Sequence, residues 1–171
     1  MSATLPAELL ARAERCPDRV FARVSSGGDE VEVTYGLLAR RALAFDDNLA
    51  EAHASLGYLL FYGEKNFVEA ERHLTRAIEL NPSYPTAYHW FALVLSATGR
   101  HDQAVENIKN AIRLEPRSAI IHTAASLVYY HAGKFSDALV QADAALDIDN
   151  GFVPAYKMLR VIHGATENYE A

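Results

Sequence analysis

Seven histidines and one cysteine are the residues of this chain that could ligate a metal ion, relay a proton or act as a nucleophile. Their spacing argues against each use. No HExxH, CxxC or paired Cys/His spacing occurs in the 171 residues, and such pairings are what bring ligands to one helix face or one turn. His53 and His122 share a register position with Tyr88 and Tyr156, which reads as a place where a ring packs between helices. Cys16 falls on an apolar helix face with Leu5, Leu9, Leu10 and Ala13, a poor setting for a nucleophilic dyad with a distant histidine. Asp143, Asp147 and Asp149 read as a solvated helix face and its end. The expectation is no catalytic residue, no metal ligand, no cofactor and no enzymatic activity.

The elements that position these residues repeat. Ala70, Ala104 and Ala138 are 34 residues apart, as are Ala77, Ala111 and Ala145, and Gly99 and Gly133. Leu80, Leu114 and Ile148 keep the same frame, with prolines at Pro82 and Pro116 and a ring position at Phe67, His101 and Phe135. Upstream, His53, Tyr88, His122 and Tyr156 align at spacings of 35, 34 and 34, so one extra residue lies in the turn at 63–66. A period near 34 marks a helical solenoid. Each unit reads as two helices and a turn: 88–98 ends at Gly99, and 102–114 starts from a cap at His101 or Asp102 and ends before Pro116. Small residues at Gly57, Ala92 and Ser126, set against Ala70, Ala104 and Ala138, predict closely approaching helix axes.

The spacing of Leu56-Gly57, Ala70, Ala77 and Pro82, repeated at Ala104, Ala111 and Pro116 and again at Ala138 and Ala145, resembles the tetratricopeptide repeat over about residues 35–171. The stretches 50–63 and 104–116 also resemble arrays in bacterial transcriptional and signalling regulators. The resemblance implies an all-α fold, a right-handed solenoid of about three units (50–84, 85–118 and 119–152) with half-units at 35–49 and 153–171. It also implies a concave face, formed by the first helix of each unit, that binds peptides. Arg160 and His163 replace small and apolar residues in the last half-unit, which suits a polar cap on the stack.

Residues 1–34 lie outside the repeat. Thr4 and Pro6 suit a helix start, and the alternation in 20–24 and 30–34 across Ser25-Ser26-Gly27-Gly28-Asp29 reads as a β-hairpin. The expected extension is therefore a small helix plus a hairpin. Leu5-Pro6-x-Glu8-Leu9-Leu10, Ala13-Glu14-x-x-Pro17-Asp18-Arg19-Val20 and Val33-Thr34-Tyr35-x-x-Leu38 resemble the start of acyl-adenylate-forming enzymes, over about residues 3–42. That resemblance implies an orphaned fragment, because the phosphate loop and distant lysine of those enzymes have no match here and no catalytic residue carries over.

Half of the residues are hydrophobic, enough for a continuous core, and the net charge of −6 argues against nucleic acid or an anionic membrane as partner. No apolar run near 18 residues and no signal-peptide pattern occurs, and a single cysteine suits a reducing compartment. The expected location is cytoplasmic.

The repeat frame places Tyr58, Phe61, Tyr62, His89, Leu93, Thr123, Leu127, Tyr130, His131 and Lys157 on the groove, with Ser96 and Ala97 beside them. Relatives that grip a terminal carboxylate use Lys, Asn and Arg at several such places; here only Lys157 is basic. An aromatic and imidazole-rich groove suits an extended peptide or partner protein with apolar anchors. Tyr58 and Leu127 fit equally well as a second layer of core. The function expected is a protein–protein interaction scaffold, favoured as a monomer. The alternatives are an inactive fragment of an adenylate-forming enzyme fused to a repeat array, and a head-to-tail self-assembly module.

Overall fold

The computed structural model describes residues 20–26 and 29–167. The N-terminal helix expected around Leu5–Cys16, the Gly27-Gly28 turn and most of the adenylate-enzyme motifs lie outside the described residues. Strands β1 (Val20–Ser26) and β2 (Asp29–Thr34) pair antiparallel, with Arg23 opposite Glu32 and Val24 opposite Val31, and an irregularity between Val20 and Ala22. Eight helices follow among the described residues: α1 (Tyr35–Phe45), α2 (Ala50–Tyr62), α3 (Phe67–Leu80), α4 (Pro85–Ala97), α5 (His101–Leu114), α6 (Ala119–His131), α7 (Phe135–Ile148) and α8 (Val153–Glu167). The chain divides into two compact units, Met1–Trp90 and Phe91–Ala171, with the division inside α4.

The repeat is visible in the backbone hydrogen bonds. Ala70, Ala104 and Ala138 each donate N–H to the carbonyl four residues back, at Asn66, Arg100 and Lys134. At the other helix ends Asn81, Glu115 and Asp149 donate to Ala77, Ala111 and Ala145. Each of these pairs binds a helix end whose backbone groups would otherwise lack partners. Arg100 donates to Leu95 O and Lys134 to Tyr129 O, five residues back, but Asn66 reaches six back to Leu60 O. The extra residue of the first turn is absorbed there. At Lys65, Gly99 and Gly133 the backbone is left-handed, with φ of 54°, 78° and 72°.

Two starts differ from expectation, and the first is that of α4, which begins at Pro85 and not at 88. Helix α5 begins at His101 with Arg100 as its cap, whose side chain makes no capping hydrogen bond; instead Arg100 Nε donates to Gln103 Oε1 at 2.6 Å. Neither His101 nor Asp102 caps it, because the left-handed Gly99 turns the chain into the helix sooner. By contrast, Asn66 Oδ1 accepts from Glu69 N at 3.3 Å and Ser118 Oγ from Ile121 N at 3.5 Å.

In the first unit α1 packs on α2 and α2 on α3. Gly57 lies so near α3 that a Cβ there would stand 2.7 Å from Leu74 Cγ and 3.1 Å from Ala70 O. In the second unit α6 packs against α5, α7 and α8, over Ala119, Ala145 and Ala155 with Leu146 and Phe152 at the edge. Ala92, Ala104, Ser126 and Ala138 are all fully buried. His163 is exposed, whereas its register equivalents Leu60, Leu95 and Tyr129 are buried.

Candidate functional site

Aromatic residues of the first unit collect along one face of α2. Tyr58 and Tyr62, four residues apart on the helix, stack at 5.7 Å with planes 16° apart, and Tyr58 stacks on Trp90 at 4.6 Å. Phe61 contacts Tyr62 edge-on at 6.3 Å and Phe67 at 5.9 Å. Tyr58 and Phe61 are half-buried, whereas Tyr62 is 60% exposed and carries Lys65 Nζ 5.0 Å from its ring centre. Rings held against one another in this way lose little freedom when a ligand covers them. Trp90 and Lys65 were not marked by the repeat frame, since neither holds an apolar or ring position that recurs.

His89 corrects the expectation of an open-face residue. It is buried at 8% exposure, its ring 6.3 Å from Trp90, and burial pushes its pKa down to about 4. A helix period tells which face a residue occupies but not what covers that face.

In the second unit Leu93, Thr123, Leu127 and Tyr130 are half-buried, and His131 and Lys157 are exposed. Ser96 Oγ and His131 Nδ1 lie 2.8 Å apart, and the Tyr130 ring lies 5.8 Å from His131 and 5.6 Å from Phe135. Burial and then the neighbouring His101 lower the His131 pKa, favouring the neutral ring. Thr123 Oγ1 is buried with no hydrogen-bond partner among the described residues.

The register position shared by His53, His122 and Tyr156 has one job in all three. His53 Nε2 meets Asp47 O at 3.0 Å, His122 Nε2 meets Pro116 O at 3.1 Å, and Tyr156 Oη donates to Asn150 O at 3.0 Å. Each carbonyl lies six residues earlier, in the turn before the helix. For the two buried histidines the polar tip of a packed ring thus satisfies a loop carbonyl, and Tyr156 makes the same bond from an exposed ring.

Two hollows lie away from the expected groove residues. One, of about 490 Å³, is lined by Asp47, His53, Arg72, Thr75, Arg76 and Glu79. The other, of about 300 Å³, is lined by Phe91, Leu95, Arg100, Gln103, Glu106 and Asn107. Among the described residues no group of three or more His, Cys, Asp or Glu side chains is placed to hold a metal ion, and no helix is long and apolar enough to cross a membrane.

Models of the tetratricopeptide repeat match residues 90–151 and 73–106; tetratricopeptide repeats run through this stretch of the chain. The small glutamine-rich tetratricopeptide repeat-containing protein 2 of Mycosarcoma maydis is 26% identical over 74 residues, which cover 43% of this chain and 21% of that protein. The chain therefore spans about a fifth of the length of that curated relative. Among solved structures, a thermophilic TPR protein of Thermus thermophilus is similar with a TM-score of 0.65 at 21% identity, covering 75% of this chain and 71% of that one. The first TPR of Spaghetti (RPAP3), bound to the HSP90 peptide SRMEEVD, gives 0.63 at 18% identity, covering 71% and 96%. The Sgt2 TPR domain of Aspergillus fumigatus gives 0.65 at 17% identity, covering 71% and 81%. These likenesses establish the repeat fold.

Proposed function

We propose that this chain is a protein–protein interaction scaffold that takes extended peptides with aromatic or large apolar anchors. The observation that carries this reading is the interlocked set Tyr58, Phe61 and Tyr62 on α2, part-buried at one end and exposed at Tyr62. Such a set offers rigid, amphipathic contact area at small ordering cost. In the second unit Leu93, Thr123, Leu127, Tyr130, His131 and Lys157 offer a second contact surface of similar kind. A peptide-bound TPR structure of similar fold supports a peptide as the occupant. Chemistry separates the two proteins' ligands: SRMEEVD is acidic, whereas Lys157 is the only basic residue in the set proposed here. Anchoring by rings, not by a cluster of cations, follows.

Selection of a random peptide display library against the full chain tests this. The expected outcome is enrichment of peptides with aromatic or aliphatic anchors, whose binding is lost in Tyr62→Ala and reduced in Tyr130→Ala with helical content unchanged. Enrichment of acidic peptides that bind both variants as well as the parent would overturn it.

A further inference from the structure

A chain of hydrogen bonds runs through buried groups of the first unit. Its two ends fix the position of every proton. The Asp47 carbonyl can only accept, so the His53 Nε2 that meets it at 3.0 Å carries a hydrogen. A neutral His53 then has a bare Nδ1. That atom lies 2.8 Å from His73 Nδ1, which must therefore be the donor. A neutral His73 in turn has a bare Nε2, and the Arg72 Nη2 that lies 3.1 Å from it can only donate. Both rings are neutral, in opposite tautomers, and both are buried, at 7% and 8% exposure.

This chain has no place for another proton. On His53 Nδ1 it would face the His73 Nδ1–H across 2.8 Å, and on His73 Nε2 it would face the guanidinium across 3.1 Å. The surroundings reinforce this. His53 feels Arg76 and Arg72, opposed by Asp47; His73 feels Arg72, His53 and Arg40, opposed by Glu69. Arg72 is tethered to Glu69 at 2.8 Å, and Arg76 to Glu79 at 3.2 Å and to Asn48 at 3.1 Å, so these cations are held beside the rings. Burial first, and Arg72 second, lowers the His73 pKa to about 4; burial also lowers that of His53. The hollow lined by Asp47, His53, Arg72 and Arg76 opens the His53 edge to water.

The second unit contains a natural control. Two periods along, His53 becomes His122 and His73 becomes Gln141. His122 Nε2 meets Pro116 O at 3.1 Å and its Nδ1 meets Gln141 Oε1 at 2.8 Å. Both partners can accept, and the amide can turn to donate, so this contact survives with His122 neutral or charged.

We propose that the His53–His73 contact is an acid-released latch between α2 and α3: one proton taken up by the pair opens the first hairpin, while the equivalent His122–Gln141 contact holds α6 to α7. The device acts through the contact of α2 with α3, so it loosens the helix that carries Tyr58 and Tyr62 through a bond that does not involve those rings.

Nitrogen-15 NMR of the histidine rings in the full chain tests the proton placement at pH 7. The expected result is the Nε2–H tautomer for His53 and the Nδ1–H tautomer for His73; the reverse assignment, or a charged ring in either, overturns the proposal. Amide hydrogen exchange, corrected for intrinsic rates, then follows both hairpins from pH 7 to pH 4. Protection in α2–α3 should fall about tenfold further than in α6–α7, and His73→Gln, which installs the residue found at 141, should abolish the excess. Equal loss in both hairpins, or an undiminished excess in His73→Gln, overturns it. If that variant does not fold, the parent's exchange and tautomers decide alone.

Discussion

Gly57 on α2 faces Leu74 on α3 so closely that a methyl group at 57 would stand 2.7 Å from Leu74 Cγ, with the carbonyl oxygen of Ala70, one turn earlier on the same helix, 3.1 Å away. Leu74 is fully buried and cannot swing outward, and the carbonyl belongs to a helix. Gly57→Ala should therefore cost ~1–3 kcal/mol through overpacking, against the gain of roughly 0.5–1 kcal/mol that alanine brings to an unstrained helix interior. Gly164→Ala supplies the comparison, since a Cβ there meets nothing within 4 Å. Chemical denaturation should show the first variant destabilised and the second not. A Gly57→Ala protein as stable as the parent would mean that the helices separate freely at this point.

Lys65 occupies the left-handed position that Gly99 and Gly133 hold one and two periods later, with φ of 54°. A side chain in that conformation costs ~1 kcal/mol, of which the contact of its ammonium with Tyr62 at 5.0 Å returns about half. Lys65→Gly should raise stability by roughly 0.5 kcal/mol net of these terms. Lys65→Ala keeps the strain and loses the contact, so it should lower stability. Opposite signs for the two substitutions in urea unfolding are the expected result, and equal signs would refute the account.

The small-residue frame was legible because it is periodic: Gly57, Ala70, Ala92, Ala104 and Ser126 recur, and each is buried. The turn insertion was legible for the same reason and reappears as the six-residue reach of Asn66 to Leu60 O. The His53–His73 relay was not, because a hydrogen bond between residues 20 apart depends on how α2 is rotated against α3. A signal did exist in the pairing of His122 with Gln141 two periods later. His89 was misplaced because periodicity assigns a face without saying what covers it, and Trp90 fills the space beside it. The ring stack from Tyr62 through Tyr58 to Trp90 mixes a helical spacing of four with a contact between separate helices, so only its first half could be read.

Ala104 is fully buried and Ala97, seven residues before it in the same unit, is exposed. Ala104→Leu forces three extra carbons into a packed contact and should cost ~1–3 kcal/mol. Ala97→Leu should stay within about 0.5 kcal/mol of the parent. Thermal unfolding of the two variants at neutral pH separates them, and equal losses would contradict the register that puts Ala70, Ala104 and Ala138 at one kind of site.

His89 makes a separate contribution to acid sensitivity. Burial lowers its pKa to about 4 in the folded chain, below the value of 6.5 expected when the chain unfolds. Between these values the unfolded chain binds a proton that the folded chain refuses, so stability rises with pH across this window. The stability that a neutral His89 contributes is complete above about pH 6.5, declines as pH falls towards 4, and levels off below. The full span is on the order of 3 kcal/mol. His89→Leu replaces the ring with an apolar side chain that takes up no proton in either state, and so removes this slope. Denaturant unfolding at pH 7 and pH 4.5 should show the variant losing less stability than the parent. Because the His53–His73 contact supplies its own slope, His89→Leu combined with His73→Gln should flatten the profile more than either alone. An unchanged pH profile in His89→Leu would show that the ring is hydrated and protonates without opening the fold.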